Sequence, residues 1–237
     1  MTVNATTDLA SMRLGEIAVQ LPGATAVFRR SGLDFCCGGD QRLNDAAAQH
    51  GVVLDEIVKE LRALDQSAPQ EFPEEPGQLI DHILARYHET HRRELPELIR
   101  LAEKVERVHA AHPDVPRGLA EALRAMVQEL ETHMMKEEAV LFPMMRLGPH
   151  PGIAHPIARM RLEHDDHGER LRAVERLYRN GAVPDDACGS WRALAAGVRK
   201  LADDLMQHIH LENNVLFPQF ATDLPATPIC PGMMQQS

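Results

Sequence analysis

Apolar positions recur along this chain at helical spacing, and the breaks between them divide it in two. Before residue 65 the stripes are short. Leu14, Ile17, Ala18 and Leu21 form one, Ala24, Val27 and Phe28 a second that ends at Gly32, and Leu54, Ile57, Val58, Leu61 and Leu64 a third. From residue 78 the patterns are long and predict four helices. These run from near Gln78 to His109 with a kink at Pro96, from near Asp114 to Arg146, from Ile153 to Asn180, and from near Asp185 to Ala221. Asp114 followed by Pro116 is a start signal for the second, and Gly181 a stop signal for the third. β-branched runs are scarce, so the fold class is all-α. The expected organisation is a small helical N-terminal domain over 1–65, a proline-rich linker over 66–77, an antiparallel four-helix bundle over 78–221 and a disordered tail over 222–237.

One pattern occurs twice. His133, Glu137, Val140, Leu141, Phe142 and Pro143 recur as His208, Glu212, Val215, Leu216, Phe217 and Pro218, each pair 75 residues apart. Residues four apart share a helix face, so each His–Glu pair can address one ion. The first and third bundle helices add His88 and His164, 76 residues apart. In an up-down-up-down bundle all four histidines then lie ~15–20 Å from the same end, at ~1.5 Å rise per residue. A single His-x-x-x-Glu is most simply a surface pair; a copy in register, matched in height by two further histidines, points to a metal site. Four imidazoles and two carboxylates exceed one tetrahedral zinc site. They suit two ions, each with two histidines, bridged by both glutamates and completed by an oxide or hydroxide. Mixed imidazole and carboxylate ligation favours iron, with manganese or zinc as alternatives.

Glu129 and Asp204 each precede a repeat histidine by four, and Glu163 adjoins His164; these acids are candidates to hold the histidines' other ring nitrogens or to line a route to the metals. His82, His91, His167 and His210 read as packing or surface residues, with His91 and His167, which repeat 76 residues apart, kept as further candidates for the site. So do Val140, Leu141 and Phe142 with their second copies, as core, and Met126, Met134, Met135, Met144, Met145 and Met206, as gap fillers.

Composition narrows the function. The 237 residues are 44% hydrophobic and 25% charged, as in a folded soluble protein. A net charge of -10 excludes a general nucleic-acid binder. No apolar run reaches transmembrane length and the first residues lack a secretory pattern, so a cytoplasmic protein with reduced thiols is expected. Two of its four cysteines are adjacent, in Asp34-Phe35-Cys36-Cys37-Gly38-Gly39-Asp40. The glycines allow a sharp turn, Asp40 could cap a helix from Gln41, and thiols at a helix N-terminus become reactive thiolates. Cys36 and Cys37 could pass iron, dock a client or supply electrons; Cys188 and Cys230 read as incidental.

The His/Glu set resembles the hemerythrin-like family, whose members hold a non-haem di-iron centre in a four-helix bundle. With the cysteine motif in front, the chain from Leu14 to Phe220 resembles the repair-of-iron-centres proteins of that family. The resemblance implies that His88, His133, Glu137, His164, His208 and Glu212 ligate two iron ions. It also implies a role in restoring iron–sulfur clusters damaged by nitric oxide or oxidants. Damaged or apo iron–sulfur proteins are the expected partners, with nitric oxide or dioxygen as small ligands and a homodimer as an option. A di-iron enzyme reducing nitric oxide, nitrite or dioxygen is the alternative. A reversible sensor or carrier of diatomic ligands would need no cysteine module.

Overall fold

A computed structural model of the chain describes residues 8–64, 72–148, 150–178 and 182–220. Half of the linker (66–71), the tail and Cys230 lie outside the described residues. Four short helices come first: α1 (Leu14–Gln20), α2 (Ala24–Arg30), α3 (Leu43–His50) and α4 (Leu54–Arg62). Each buries the stripe its spacing dictates: Leu14, Ile17 and Ala18 in α1, Val27 and Phe28 in α2, Ile57 and Leu61 in α4. The segment carrying Cys36 and Cys37 joins α2 to α3. It is tied to the start of α1 by backbone bonds from Leu14 N to Gln41 O (2.9 Å) and from Gly15 N to Gly39 O (2.8 Å).

The four bundle helices follow. α5 runs through Pro76–Ile83, a π-helical turn at Leu84–His88, and Glu89–Val108. α6 runs through Leu119–Lys136, a π turn at Glu137–Leu141, and Phe142–Arg146. α7 is Ala154–Leu177, and α8 runs through Gly189–His210, a π turn at Leu211–Leu216 and a 3-10 turn at Phe217–Gln219. α5 packs on α6 and α8, and α6 on α7.

Several starts differ from those expected. α5 begins at Pro76, because the Glu75 carboxylate accepts bonds from the amides of Gly77 (2.9 Å) and Gln78 (2.7 Å) and proline fits the first helical position. α6 begins after Gly118, whose φ of 83° turns the chain after Pro116, so the N-cap of α6 is Gly118 and not Asp114. α8 begins at Gly189. Pro96 lies inside a helix that continues on both sides.

The buried core falls into two clusters. One holds Leu79, Ile80, Ile83, Phe142, Ile157 and Phe217 near the bundle end with the 147–153 loop. The larger runs from Leu95, Met126 and Leu205 to Trp191, and extends into Leu14, Phe28 and Leu61 of the N-terminal helices. Those helices therefore share the bundle's core.

Candidate metal centre

Between the two clusters lies a polar plane. His88, His164, Glu137 and Glu212 are 0% exposed, and His133 and His208 1%. Their donor atoms converge in two sets. His88 Nε2 lies 3.1 Å from His208 Nε2, and His133 Nε2 lies 3.1 Å from His164 Nε2. Glu137 places Oε2 3.4 Å from His88 Nε2 and Oε1 3.3 Å from His133 Nε2. Glu212 places Oε1 3.0 Å from His208 Nε2 and Oε2 3.0 Å from His164 Nε2. Each set thus offers two nitrogens and two carboxylate oxygens, all within 4.8 Å of one another. Each takes one histidine from each hairpin, and both glutamates serve both sets.

The charges call for cations. Both oxygens of Glu137 and Oε2 of Glu212 receive no hydrogen bond, although buried carboxylates left uncompensated cost several kcal/mol each. The glutamates nonetheless stay ionised. Burial and Glu212 push Glu137 up, but His133 and His88 hold it below the usual carboxylate range. Against burial, His208 and His164 hold Glu212 well below it. Burial would lower His133, yet Glu137, Glu212 and Glu163 raise it to about 9; His88 is raised in the same way, against burial, chiefly by Glu137. His208 is lowered by its burial. The mixed imidazole and carboxylate donor set suits iron.

The backbone irregularities fall at this plane. The π turns end at His88, start at Glu137 and contain Glu212. Such turns cluster at functional sites, and sequence periodicity does not reveal them. The turn at Glu137 faces Glu137, Leu141 and Phe142 inward, while Val140 is 50% exposed; its expected core role is overturned. Met135, at 57%, is likewise outside the core.

The other ring nitrogens reveal partners that spacing missed. His88 Nδ1 lies 2.8 Å from Glu138 Oε1, and Arg92 grips the Glu138 carboxylate at 2.7 and 3.2 Å. His164 Nδ1 lies 2.9 Å from Asn213 Oδ1, whose amide donates to the Cys36 carbonyl at 3.0 Å. Glu138 and Asn213 each follow a repeat glutamate, so the residue after each of these was the available signal. His133 Nδ1 lies 3.1 Å from Glu163, and Lys136 (2.6 Å) and Arg159 (2.7 Å) also bind that carboxylate. Against burial, these partners lower Glu163 to about 2. Glu129 instead pairs with Arg170, and Asp204 with Arg86 and Lys200, both at 2.7 Å. A histidine reaching into the bundle aims its outer nitrogen at the adjacent helix, not at an acid on its own. His208 Nδ1 has no partner.

His91 and His167 are buried beside the donors without joining either set. Their rings lie 5.4 Å from His208 and 4.8 Å from His133. Neither nitrogen of His167 has a partner, and burial lowers it to about 3. His210 packs edge-on to Phe35 at 5.5 Å, and His82 lies against Tyr87 at 5.8 Å.

The cysteines sit against this plane. The Cys37 thiol donates to the His164 carbonyl at 3.4 Å. Asn214 donates to the Phe35 carbonyl at 3.1 Å, and a Cβ on Gly15 or Gly39 would lie 2.8 or 2.5 Å from its Oδ1. Two glycines therefore let the cysteine segment close onto the bundle. No helix N-terminus activates the thiols: α3 starts at Leu43 and Asp40 pairs with Arg13. Cys36, 4% exposed, is raised well above the usual thiol range by its contact with Cys37 and by burial. Cys188 instead occupies such a position. It is the N-cap of α8, 3.2 Å from His109 Nε2, and that contact lowers it to about 7.

Comparison with known proteins agrees with this architecture. Residues 79–220 match the hemerythrin HHE cation binding domain, and residues 10–65 match a domain of unknown function, DUF542. The iron-sulfur cluster repair protein YtfE of Salmonella schwarzengrund is 48% identical over 87% of this chain and 94% of its own. YtfE of Cronobacter sakazakii is 50% identical over the same shares. A probable iron-sulfur cluster repair protein of Haemophilus influenzae is 46% identical over 90% of this chain and 97% of its own. Buried His/Glu donors in a helical bundle, with a Cys-Cys segment closed over one face, thus accompany a likeness that spans nearly the whole chain. The chain belongs to the hemerythrin-like family of iron–sulfur cluster repair proteins.

Proposed function

We propose that the protein holds two iron ions and supplies iron to iron–sulfur proteins whose clusters nitric oxide or oxidants have damaged. His88 and His208 would hold one ion, His133 and His164 the other, with Glu137 and Glu212 bridging. The carrying observation is that two complete donor sets share both glutamates. Iron bound there would supply redox chemistry and bind nitric oxide or dioxygen. The protein's own groups fix the rest: Glu138, Glu163 and Asn213 orient the imidazoles, and the surrounding apolar clusters keep water out. The reading places the protein in the cytoplasm, where Cys36 and Cys37 stay reduced. Among the described residues no helix is long and apolar enough to cross a membrane.

A second reading, reduction of nitric oxide, nitrite or dioxygen at the same centre, follows from the same donor sets. One comparison separates the two: iron delivered to an apo-cluster acceptor against nitric oxide consumed by the same sample. Iron supply predicts acceptor reconstitution in step with iron loss. Catalytic consumption of nitric oxide with no iron moved would overturn it.

A further inference from the structure

We propose a third metal site in this protein, formed by Asp34, Cys36 and Cys37, which receives iron as it leaves the bundle. Its use in transit rests on the iron-supply reading; its existence as a thiolate site does not.

The three donors already stand at ligand spacing. The two sulfurs are 3.8 Å apart, and Cys36 Sγ is 3.3 Å from Asp34 Oδ1. Metal–sulfur bonds of ~2.3 Å at a tetrahedral angle put two sulfurs ~3.8 Å apart. All three donor atoms lie within 4.8 Å of one another. Asp34 is held in place, since its Oδ1 accepts the amides of Cys37 (2.9 Å) and Gly38 (3.3 Å). Two sulfurs and one oxygen leave a fourth position open to an incoming ligand. A divalent ion binding there displaces two thiol protons and changes no oxidation state.

Position gives this site its role. Cys37 rests on the carbonyl of His164, and Asn213 joins the His164 ring to the Cys36 carbonyl. His167, its ring nitrogens unpartnered, packs on His133; the next residue, Gly168, lies against Cys37 Sγ, 3.5 Å from where its Cβ would stand. Outside, a cavity of about 150 Å³ is lined by Asp34, Cys36, His50, Arg172, Glu175 and Met206. An ion released from the His133–His164 pair would meet soft ligands next, then an opening lined by further donors.

Cobalt(II) tests this directly. The full chain carrying Cys188→Ser and Cys230→Ser, with its bundle site loaded with iron, is titrated with cobalt(II) under anaerobic, reducing conditions. One further equivalent should bind with a thiolate-to-cobalt charge-transfer band. Cys37→Ser, at a half-buried position, should abolish the band, and Asp34→Asn should weaken cobalt binding roughly tenfold. Thermal unfolding checks that both variants are folded. Absence of the band, or its survival in Cys37→Ser, overturns the site. Iron delivery to an apo-cluster acceptor should slow in Cys37→Ser at unchanged iron loading; an equal rate overturns the transit role. A band in a protein that delivers no iron would leave the site standing and sink the iron-supply reading instead.

Discussion

The two hairpins of the bundle carry matching donors and different surroundings. His88, His133 and Glu137 in α5–α6 correspond to His164, His208 and Glu212 in α7–α8. One residue beyond each glutamate the match breaks, and it resumes only at Val140 and Val215. Glu138 ties His88 to Arg92 at the surface, whereas Asn213 ties His164 to the Cys36 backbone. The residues before His88 and His164 differ too. Glu163 bonds the His133 ring, while Tyr87 stacks on His208 at 5.5 Å and an interplanar angle of 4°. Donors that are to share two ions, as proposed, must agree in both halves. Their outer partners need only orient a ring, so they are free to diverge, and one half has become the attachment point of the cysteine segment.

This contrast can be broken in graded steps. The largest effect belongs to the shared donors. Glu212→Ala removes one oxygen from each set, and iron content should fall from about two per chain toward zero, measured by elemental analysis. Asn213→Ala should come next, lowering metal affinity about 10- to 100-fold by freeing His164 Nδ1. It should also speed labelling of Cys37 by a thiol reagent. Glu138→Ala should cost a similar affinity but leave the labelling rate unchanged. Equal labelling in the two variants would erase the proposed difference between the halves.

A subtler effect concerns pH. His133 sits at about 9 in the folded metal-free protein, against ~6.5 when exposed. A group raised by folding stabilises fully below its unfolded value and loses that contribution as pH climbs through its folded one. Metal-free protein should therefore lose stability between about pH 6.5 and 9 in denaturant titrations, and the metal-loaded protein should not. Smallest of all, Glu129→Gln breaks only a partly exposed pair with Arg170, so metal affinity should change by less than about twofold.

What was legible in the sequence was whatever repeats or keeps a period. The long apolar stripes predict the bundle, and the repeat with the height of His88 and His164 selects the six side chains that the structure brings together. Features that depend on contacts across helices were hidden. Glu129 and Asp204 share a face with His133 and His208 along their own helices, but the rings face the neighbouring ones. Regular α-helical spacing would bury Val140, but the π turn at Glu137–Leu141 rotates it outward. Asn213 and Asn214 look like ordinary polar residues until the N-terminal helices are packed on α8. The thiols show the converse: the motif predicts activation at a helix end, yet contact with Cys37 and burial raise Cys36.

Anomalous diffraction at the iron edge from crystals of the iron-loaded protein tests the central claim most directly. Two peaks are predicted, ~3.5–4 Å apart, one between His88 and His208 and the other between His133 and His164, with Glu137 and Glu212 spanning both. A single peak, or two peaks that do not share the glutamates, would contradict the account.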